Sequence, residues 1–319
     1  MPTSDRRTSD VQASVKRSRA WQRADLHCHS LKSDGVLDPL ALAQRAHANG
    51  VELWALTDHD ELSGLAQARQ AATACGLPFL SGVEISVTWG ARTIHVVGLG
   101  IDENNPVLQE GLAEVRRGRV TRARQMADKF EALGYPGVFE GALQFASNPA
   151  LISRTHFARH LVHTGQAKTM QAVFDRFLKD NGPAFVPTQW ASLETALHWI
   201  KSAQGVAVIA HPGRYGFSDL QFEALFSAFK DLGGAAIEVN TGSHQPWQFQ
   251  TYADVAKHHG FLASCGSDFH GPDESRCDLG QVPTLSPDLT PVWHSPDLQA
   301  QLHRSIVATQ EMANQQNQQ

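Results

Sequence analysis

This sequence has few cysteines, no long apolar run and only a small net charge. Its 319 residues contain four cysteines without zinc-finger spacing, so we expect no disulfide framework and a reducing, cytoplasmic setting. No apolar run reaches membrane-spanning length and no apolar signal core is present, so no membrane partner is expected. A net charge of -5 argues against a protein that coats nucleic acid. The composition is that of an ordinary soluble enzyme, and no obligate protein partner is evident.

Histidine is the residue in excess, with 16 copies. His27 and His29 alternate with Leu26 and Cys28, so on a strand the two imidazoles share one face. Two imidazoles so placed can hold one metal ion, although such a pair also occurs as surface or hydrogen-bonded histidines. Asp34 follows after a turn and could reach the same ion or its neighbour.

Short apolar segments alternate with helices over most of the chain. We expect a disordered leader over 1–21, an α/β unit over 22–104 and 188–285, an inserted helical subdomain over 105–187, and a C-terminal extension over 286–319 with a frayed tail from residue 310. About seven strands with helices between most of them predict a parallel sheet closed into a (β/α) barrel. An open doubly wound sheet is the alternative.

Possible metal ligands follow nearly every predicted strand, with one on a strand and one on the first loop. In a parallel barrel the carboxyl ends of the strands meet at one mouth, so these side chains should converge. Nine ligands are too many for one ion, so shared carboxylates imply two or three divalent metal ions. The nine are His27, His29, Asp34, His59, Glu84, His95, His211, Asp268 and His270.

Several of these residues also have a simpler interpretation. His59 could lie on a surface loop, and Glu84 could cap a strand or form a salt bridge. His95 could be a hydrogen-bonded core histidine, and His211 could simply close a strand. The coincidence of ligand types at nearly every strand end nevertheless favours a multinuclear metal centre.

The motifs closely resemble those of the polymerase-and-histidinol-phosphatase (PHP) family over about residues 22–275. They are Asp25-Leu26-His27-Cys28-His29, Asp34, Thr57-Asp58-His59-Asp60, Gly82 with Glu84, Ala210-His211-Pro212 and Ser267-Asp268-Phe269-His270. The resemblance implies a distorted seven-stranded (β/α) barrel with a trinuclear centre that hydrolyses phosphoesters. It implies Mn²⁺, Zn²⁺ or Fe²⁺, among which we expect Mn²⁺.

The resemblance also implies how the ligands divide among the ions. The sets are His27, His29, Glu84 and Asp268 for one ion, Asp34, His59 and His270 for a second, and Glu84 with His95 and His211 for a third. We expect a hydroxide that bridges two ions to attack phosphorus. The expected catalytic residues are Asp268, His270 and His211.

Within the family, the insertion and its run Ser153-Arg154-Thr155-His156-Phe157-Ala158-Arg159 resemble the nucleotide phosphatases and RNA 5'-end exonucleases. The implied substrates are nucleoside 3',5'-bisphosphates, mononucleotides such as AMP, or short RNA. Ser153, Arg154 and His156 are the expected substrate contacts, with Arg154 clamping a phosphate. His156 could instead bind a metal or pack within its helix. The arginines between residues 116 and 124 form either a solvated helix face or a basic wall for an anionic substrate.

Three other functions fit parts of this pattern. An amidohydrolase barrel also opens with a His-x-His pair, but no lysine stands at a predicted strand end. A non-catalytic metal-binding barrel is a second alternative, although all nine ligand positions are filled. A histidinol-phosphate phosphatase is the third, and it would not need the insertion or its arginines.

Overall fold

The computed structural model describes residues 21–187 and 189–316, so the leader prediction for residues 1–20 and the last three residues of the predicted tail lie outside the described residues. The strands are β1 (Ala24–Asp25), β2 (Leu53–Leu56), β3 (Phe79–Trp89), β4 (Arg92–Leu99), β5 (Ala191–Ser192), β6 (Val206–Ile209), β7 (Ala236–Thr241) and β8 (Leu262–Gly266). The helices are α1 (Pro39–Ala48), α2 (Leu65–Ala74), α3 (Pro106–Ala132), α4 (Val138–Leu143), α5 (Arg154–His163), α6 (Met170–Val173), α7 (Leu193–Ser202), α8 (Asp219–Asp231), α9 (Pro246–His259) and α10 (Pro296–Gln316).

Seven strands form a nearly closed barrel in the order β1-β2-β3-β4-β6-β7-β8, and the short β5 pairs with β3 outside that path. The two ends of the path meet, because Leu26 N–H donates to Cys265 O at 3.0 Å and His29 N–H donates to Phe269 O at 2.9 Å. The predicted distorted seven-stranded barrel is therefore confirmed, and the open sheet is excluded.

One strand departs from the predicted all-parallel arrangement. β4 runs antiparallel to both β3 and β6. Gly90 and Ala91, both at positive φ, join β3 to β4, and two residues are too few for the crossover that parallel strands need. Consequently β3 continues to Trp89 and Glu84 lies within it rather than at its end. His95 lies in the amino-terminal half of β4, the half that faces the mouth.

The opening strand is shorter than predicted, since β1 covers two residues and the histidine pair lies beyond it. The pair is instead held by the segment after β8: Asp268 N–H donates to His27 O at 2.8 Å, and Cys28 forms an isolated parallel bridge with Phe269. A side chain at Gly266 would meet the backbone nitrogen of His27 at 2.6 Å, so only glycine lets the two segments approach this closely.

The insertion has a hydrophobic core of its own. The 27-residue α3 begins after Asn105, whose side chain accepts from Leu108 N–H at 3.0 Å. Phe130 stacks on Phe157 and tilts against Phe177, and this cluster is separate from the barrel cores. Helices α3 and α5 are thereby fixed relative to each other, with one side facing the barrel mouth.

Two features lie at the chain ends. Trp21, at the end of the predicted leader, packs edge-on against Trp293 with ring centroids 6.5 Å apart. Residues 310–316, predicted to fray, belong to α10, which is anchored on the barrel by the buried Leu298 and Leu302. The apolar contacts early in this helix explain why its Gln-rich end continues as helix.

Candidate metal centre

The loops after β1 and β8 bring three predicted ligands together at the mouth. His27 Nε2 lies 3.2 Å from His29 Nε2, and Asp268 Oδ1 lies 3.4 Å from His29 Nε2. All three side chains are buried. The spacing leaves these donor atoms facing one another at separations that suit ligands of a shared ion.

Glu84 stands at the middle of the cluster. Its Oε2 lies 2.8 Å from His59 Nδ1 and 3.3 Å from the Nε2 atoms of both His27 and His29. Its Oε1 lies 2.9 Å from both His95 Nδ1 and His211 Nε2. One carboxylate thus faces five imidazoles, which is the position a bridging ligand would occupy.

A further group completes the constellation on the side of the insertion. Asp34 Oδ1 lies 3.4 Å from His270 Nε2 and 3.9 Å from His59 Nε2. The structure therefore brings all nine predicted ligands into one cluster. Their donor atoms lie within 4.8 Å of one another in four overlapping groups: His29, Asp34, His59 and His270; His27, Glu84 and His211; His27, His29 and Asp268; and His59, Glu84 and His95.

Unsatisfied polar atoms indicate that these residues fit divalent cations. Among the described residues, several buried atoms that face the cluster have no hydrogen-bond partner; they include Asp34 Oδ1, Glu84 Oε2, His59 Nδ1 and His95 Nδ1. Buried polar atoms without partners are costly unless something else satisfies them. Imidazole nitrogens and carboxylate oxygens are donors that manganese, iron and zinc all accept.

Burial and neighbouring charges set the protonation of this cluster. Burial alone would raise the pKa of Glu84, but the surrounding imidazoles hold that pKa well below its usual value. Burial lowers the pKa values of His29 and His211 to about 3, so both are neutral at neutral pH, the form that binds metal. Burial would lower the pKa of His270, but the carboxylates of Asp34 and Asp268 outweigh burial and raise this pKa to about 9.

Glu238 is a site residue that the sequence interpretation missed. It is buried on β7, where His27 Nδ1 lies 2.7 Å from its Oε1 and His211 N–H donates to its Oε2 at 2.6 Å. One carboxylate outside the nine ligands therefore orients two of them. The available signal was an acidic residue in the otherwise apolar strand Ala235–Val239.

Two aspartates of the motif around His59 also have structural partners. Asp58 accepts from Ser30 N–H at 2.7 Å and from Ser33 Oγ at 2.6 Å, which ties the loop carrying His29 and Asp34 to β2. Asp60, in left-handed backbone, forms an ion pair with Arg119 of the insertion. These contacts hold the loops and α3 around the metal ligands.

A cavity of about 660 Å³ lies over the predicted metal ligands, between the barrel and the insertion. Two of the three predicted substrate residues, Ser153 and Arg154, line it. His156 does not: its buried ring sits inside the first turn of α5, where Nδ1 accepts from Ser153 N–H at 3.0 Å. Burial lowers its pKa to about 4. His156 is therefore placed as part of a helix cap rather than in the cavity wall.

The arginines of α3 divide between two environments. Arg119 and Arg122 are buried, line the cavity and lie over the Trp190 ring at 5.0 and 5.4 Å, whereas Arg117 and Arg124 are exposed. Burial, followed by the nearby Arg154, lowers the pKa of Arg122 to about 9. The helix thus presents both a solvated face and a basic wall.

Two of the cavity's guanidinium groups lie over aromatic rings, Arg122 over Trp190 and Arg154 over Phe174, and donate hydrogen bonds to backbone carbonyls. Arg122 Nε donates to Val186 O at 3.2 Å, and Arg154 Nη1 donates to Leu178 O at 3.3 Å. Within residues 21–187 and 189–316, no carboxylate lies within 4.0 Å of either guanidinium. Arg122 is buried and Arg154 is half-buried, and the carboxylate of Asp180 acts on both from beyond ion-pair distance. Cations in such a setting without a close carboxylate are expensive, so this wall is suited to an anion.

Comparison with known proteins finds relatives over most of the chain. The PHP domain family matches residues 25–241. The 3',5'-nucleoside bisphosphate phosphatase of Chromobacterium violaceum is 49% identical over 280 residues, which cover 88% of this chain and 98% of that protein. The 5'-3' exoribonuclease Rnm of Escherichia coli is 40% identical over 274 residues, covering 84% of this chain and 92% of that protein.

Solved structures share the fold. A protein from Chromobacterium violaceum described as an amidohydrolase, solved with sulfate and without metal, superposes with a TM-score of 0.84 at 49% identity and covers 88% of this chain and 96% of that one. A protein from Bifidobacterium adolescentis described as a metal-dependent phosphoesterase gives a TM-score of 0.72 at 26% identity, covering 91% and 97%.

These relatives confirm the predicted phosphoric ester hydrolase, and the His, Asp and Glu groups supply candidate sites for its metal. Among the described residues, no helix is both long and apolar enough to span a membrane. The motifs, the barrel and the match to more than half of the chain agree: the chain belongs to the PHP family of metal-dependent phosphoesterases.

Proposed function

We propose that this protein removes a phosphate from nucleoside 3',5'-bisphosphates in the cytoplasm, using two to three divalent ions, with Mn²⁺ as the native metal. The observation that carries the proposal is the pair of anion sites in one cavity. The ligand cluster forms the floor, and Arg122 and Arg154 stand in the wall without carboxylate partners. A substrate with two phosphates matches both sites, whereas a monophosphate leaves one unused.

We assign the metal ligands as the nine side chains already described, divided as the family resemblance implies. Asp268, His270 and His211 would act as catalytic residues through the ions that they hold. When bound, the ions would activate water and neutralise charge on the scissile phosphate. Arg154 and Ser153 would orient the substrate beside them, since a guanidinium matches phosphate oxygens in bidentate fashion.

Arg122 would bind the second phosphate. Its guanidinium carbon lies 5.4 Å from the centre of the Trp190 ring, which keeps the guanidinium at the wall and limits the side-chain entropy lost on binding. The cavity volume of about 660 Å³ lies in the range that a nucleotide-sized ligand needs. Free thiols at all four cysteines are consistent with the proposed cytoplasmic setting.

Trimming of short RNA from the 5' end is the second candidate, favoured by the 40% identity to an exoribonuclease. An RNA 5' end carries the same two phosphate positions around its first nucleotide. The second phosphate then belongs to a diester rather than to a monoester, so the two substrates can be separated by assay.

A substrate panel with added Mn²⁺ tests the proposal. It contains adenosine 3',5'-bisphosphate, adenosine 3'-phosphate, AMP, a short 5'-phosphorylated RNA and histidinol phosphate. The bisphosphate should give the highest kcat/KM. Preference for histidinol phosphate, or equal rates on all five substrates, would contradict the proposal, and preference for RNA would select the second candidate.

Arg122→Met sharpens the test because it keeps a long unbranched side chain beside Trp190 and removes the charge. It should lower kcat/KM for the bisphosphate by about 10- to 100-fold, the loss expected for a charged hydrogen bond, and change adenosine 3'-phosphate little. Arg117→Met, on the exposed face of the same helix, is the matched control. Equal losses on both substrates would exclude a second-phosphate role for Arg122.

A further inference from the structure

The carboxylate of Asp34 is shared between the metal centre and the insertion. Its Oδ1 faces His59 and His270 and has no hydrogen-bond partner among the described residues. Its Oδ2 accepts from Thr155 Oγ1 at 3.1 Å and from Ser153 Oγ at 3.3 Å. Both donors come from the first turn of α5, so the insertion sets the rotation of this carboxylate.

The same helix holds the backbone of that ligand. Arg159 Nη2 donates to Asp34 O at 2.6 Å. Its guanidinium also pairs in bidentate fashion with Glu274, at 2.7 and 2.6 Å. Glu274 lies on the loop that follows His270, and Val36 N–H donates to His270 O at 2.8 Å. Arg159 therefore joins the two loops that carry Asp34 and His270.

The other ligands do not depend on the insertion in this way. Glu238, on barrel strand β7, contacts His27 and His211. The group formed by those histidines and Glu84 is thus supported from within the barrel. A loss of the α5 contacts should affect one part of the centre and spare the other.

We propose that α5 is a positioning element for the ion held by Asp34, His59 and His270, with Thr155, Ser153 and Arg159 as positioning residues. This inference rests on the proposed metal centre. It makes the insertion a structural part of one ion site as well as the wall of the substrate cavity. Arg154 lies between Ser153 and Thr155 in the chain, so the phosphate contact and the Asp34 contact share one helical turn.

Titration of metal-free protein with Mn²⁺, followed by calorimetry and by electron paramagnetic resonance of free Mn²⁺, tests the proposal without an activity assay. Thr155→Val removes the hydroxyl at nearly constant volume. It should weaken one Mn²⁺ equivalent by about 10- to 100-fold, the effect typical of lost outer hydrogen bonds to ligands, and leave the others unchanged. Thr155→Ser, which keeps the hydroxyl, should restore binding.

Two further variants guard against a general folding defect. Thr164→Val, at the exposed carboxyl end of α5, should bind Mn²⁺ like the wild type. Glu274→Gln, which touches no ligand, should weaken the same single equivalent as Thr155→Val. Wild-type affinity in Thr155→Val, or equal weakening of every equivalent, would overturn the proposal. These outcomes are independent of which phosphoester the wild type prefers, so failure of the substrate assignment would be seen separately.

Discussion

Replacement of His156 by glutamine distinguishes a contact to substrate or metal from a structural role at the start of its helix. The ring is 1% exposed, and its Nδ1 accepts from Ser153 N–H at 3.0 Å, the reciprocal contact of a capping box. Glutamine is a natural residue at this position of a capping box and can accept the same bond. His156→Gln should therefore preserve the helix start, metal binding and phosphatase activity while removing one titratable group.

The pH dependence of stability gives this prediction a magnitude. Burial lowers the folded-state pKa of His156 from 6.5 to about 4. As the pH falls below 6.5, His156 binds a proton in the unfolded chain but stays neutral in the folded protein. The wild type therefore loses stability until the pH reaches the folded-state pKa. At pH 5 the loss from this one group is about 2 kcal/mol, and at pH 7.5 it is close to zero.

Urea unfolding of metal-free wild type and His156→Gln at pH 7.5 and pH 5.0 measures the difference directly. Other buried histidines titrate equally in both proteins and cancel in the comparison. The variant should lose about 2 kcal/mol less free energy of unfolding than the wild type over this interval. Parallel pH profiles would refute the buried, neutral state of His156. Normal pH behaviour with lost phosphate or metal binding would instead place the ring in the site.

Three further changes probe the site and the barrel. Asp268→Ala should abolish Mn²⁺-dependent phosphatase activity and lower metal content; retained activity at full metal content would contradict its ligand role. Glu238→Gln should weaken Mn²⁺ binding by about 10- to 100-fold in calorimetry, because His27 loses its charged partner. Gly266→Ala should lower the free energy of unfolding by about 1–3 kcal/mol by overpacking, whereas Gly118→Ala, which has open space, should raise it slightly in the same urea titrations.

The clustering of the nine predicted ligands could be foreseen because it follows a local rule. His59 and His211 each follow a short apolar strand, and the fold places the ends of such strands at one mouth. The rule does not require the exact strand limits. His95 and Glu84 reached the site although β4 runs antiparallel and β3 extends past Glu84, because period-two alternation still determined which face each side chain occupies.

Residues that act through tertiary pairs could not be predicted in the same way. In the sequence, Glu238 is a single acidic residue in an apolar strand. Its role depends on a contact with His27, which is 211 positions away in the chain. Arg119 and Arg117 are indistinguishable in the sequence, because helix rotation alone decides which one faces Asp60 and which faces solvent. His156 was ambiguous for a related reason: its Ser-x-x-His spacing serves a cap, while its position beside Arg154 suggested a substrate contact.

Metal binding would be coupled to barrel closure in this fold. His27 and His29 follow the first strand, Asp268 and His270 follow the last, and few backbone hydrogen bonds join the two segments. Ions held across this seam would bind the closed barrel and not the open chain. Such ligands stabilise the folded state by about 2.7 kcal/mol when present at 100 times their Kd. The two predicted ligand pairs would therefore do more than bind ions, because loading the centre would stabilise the seam between the first and last strands.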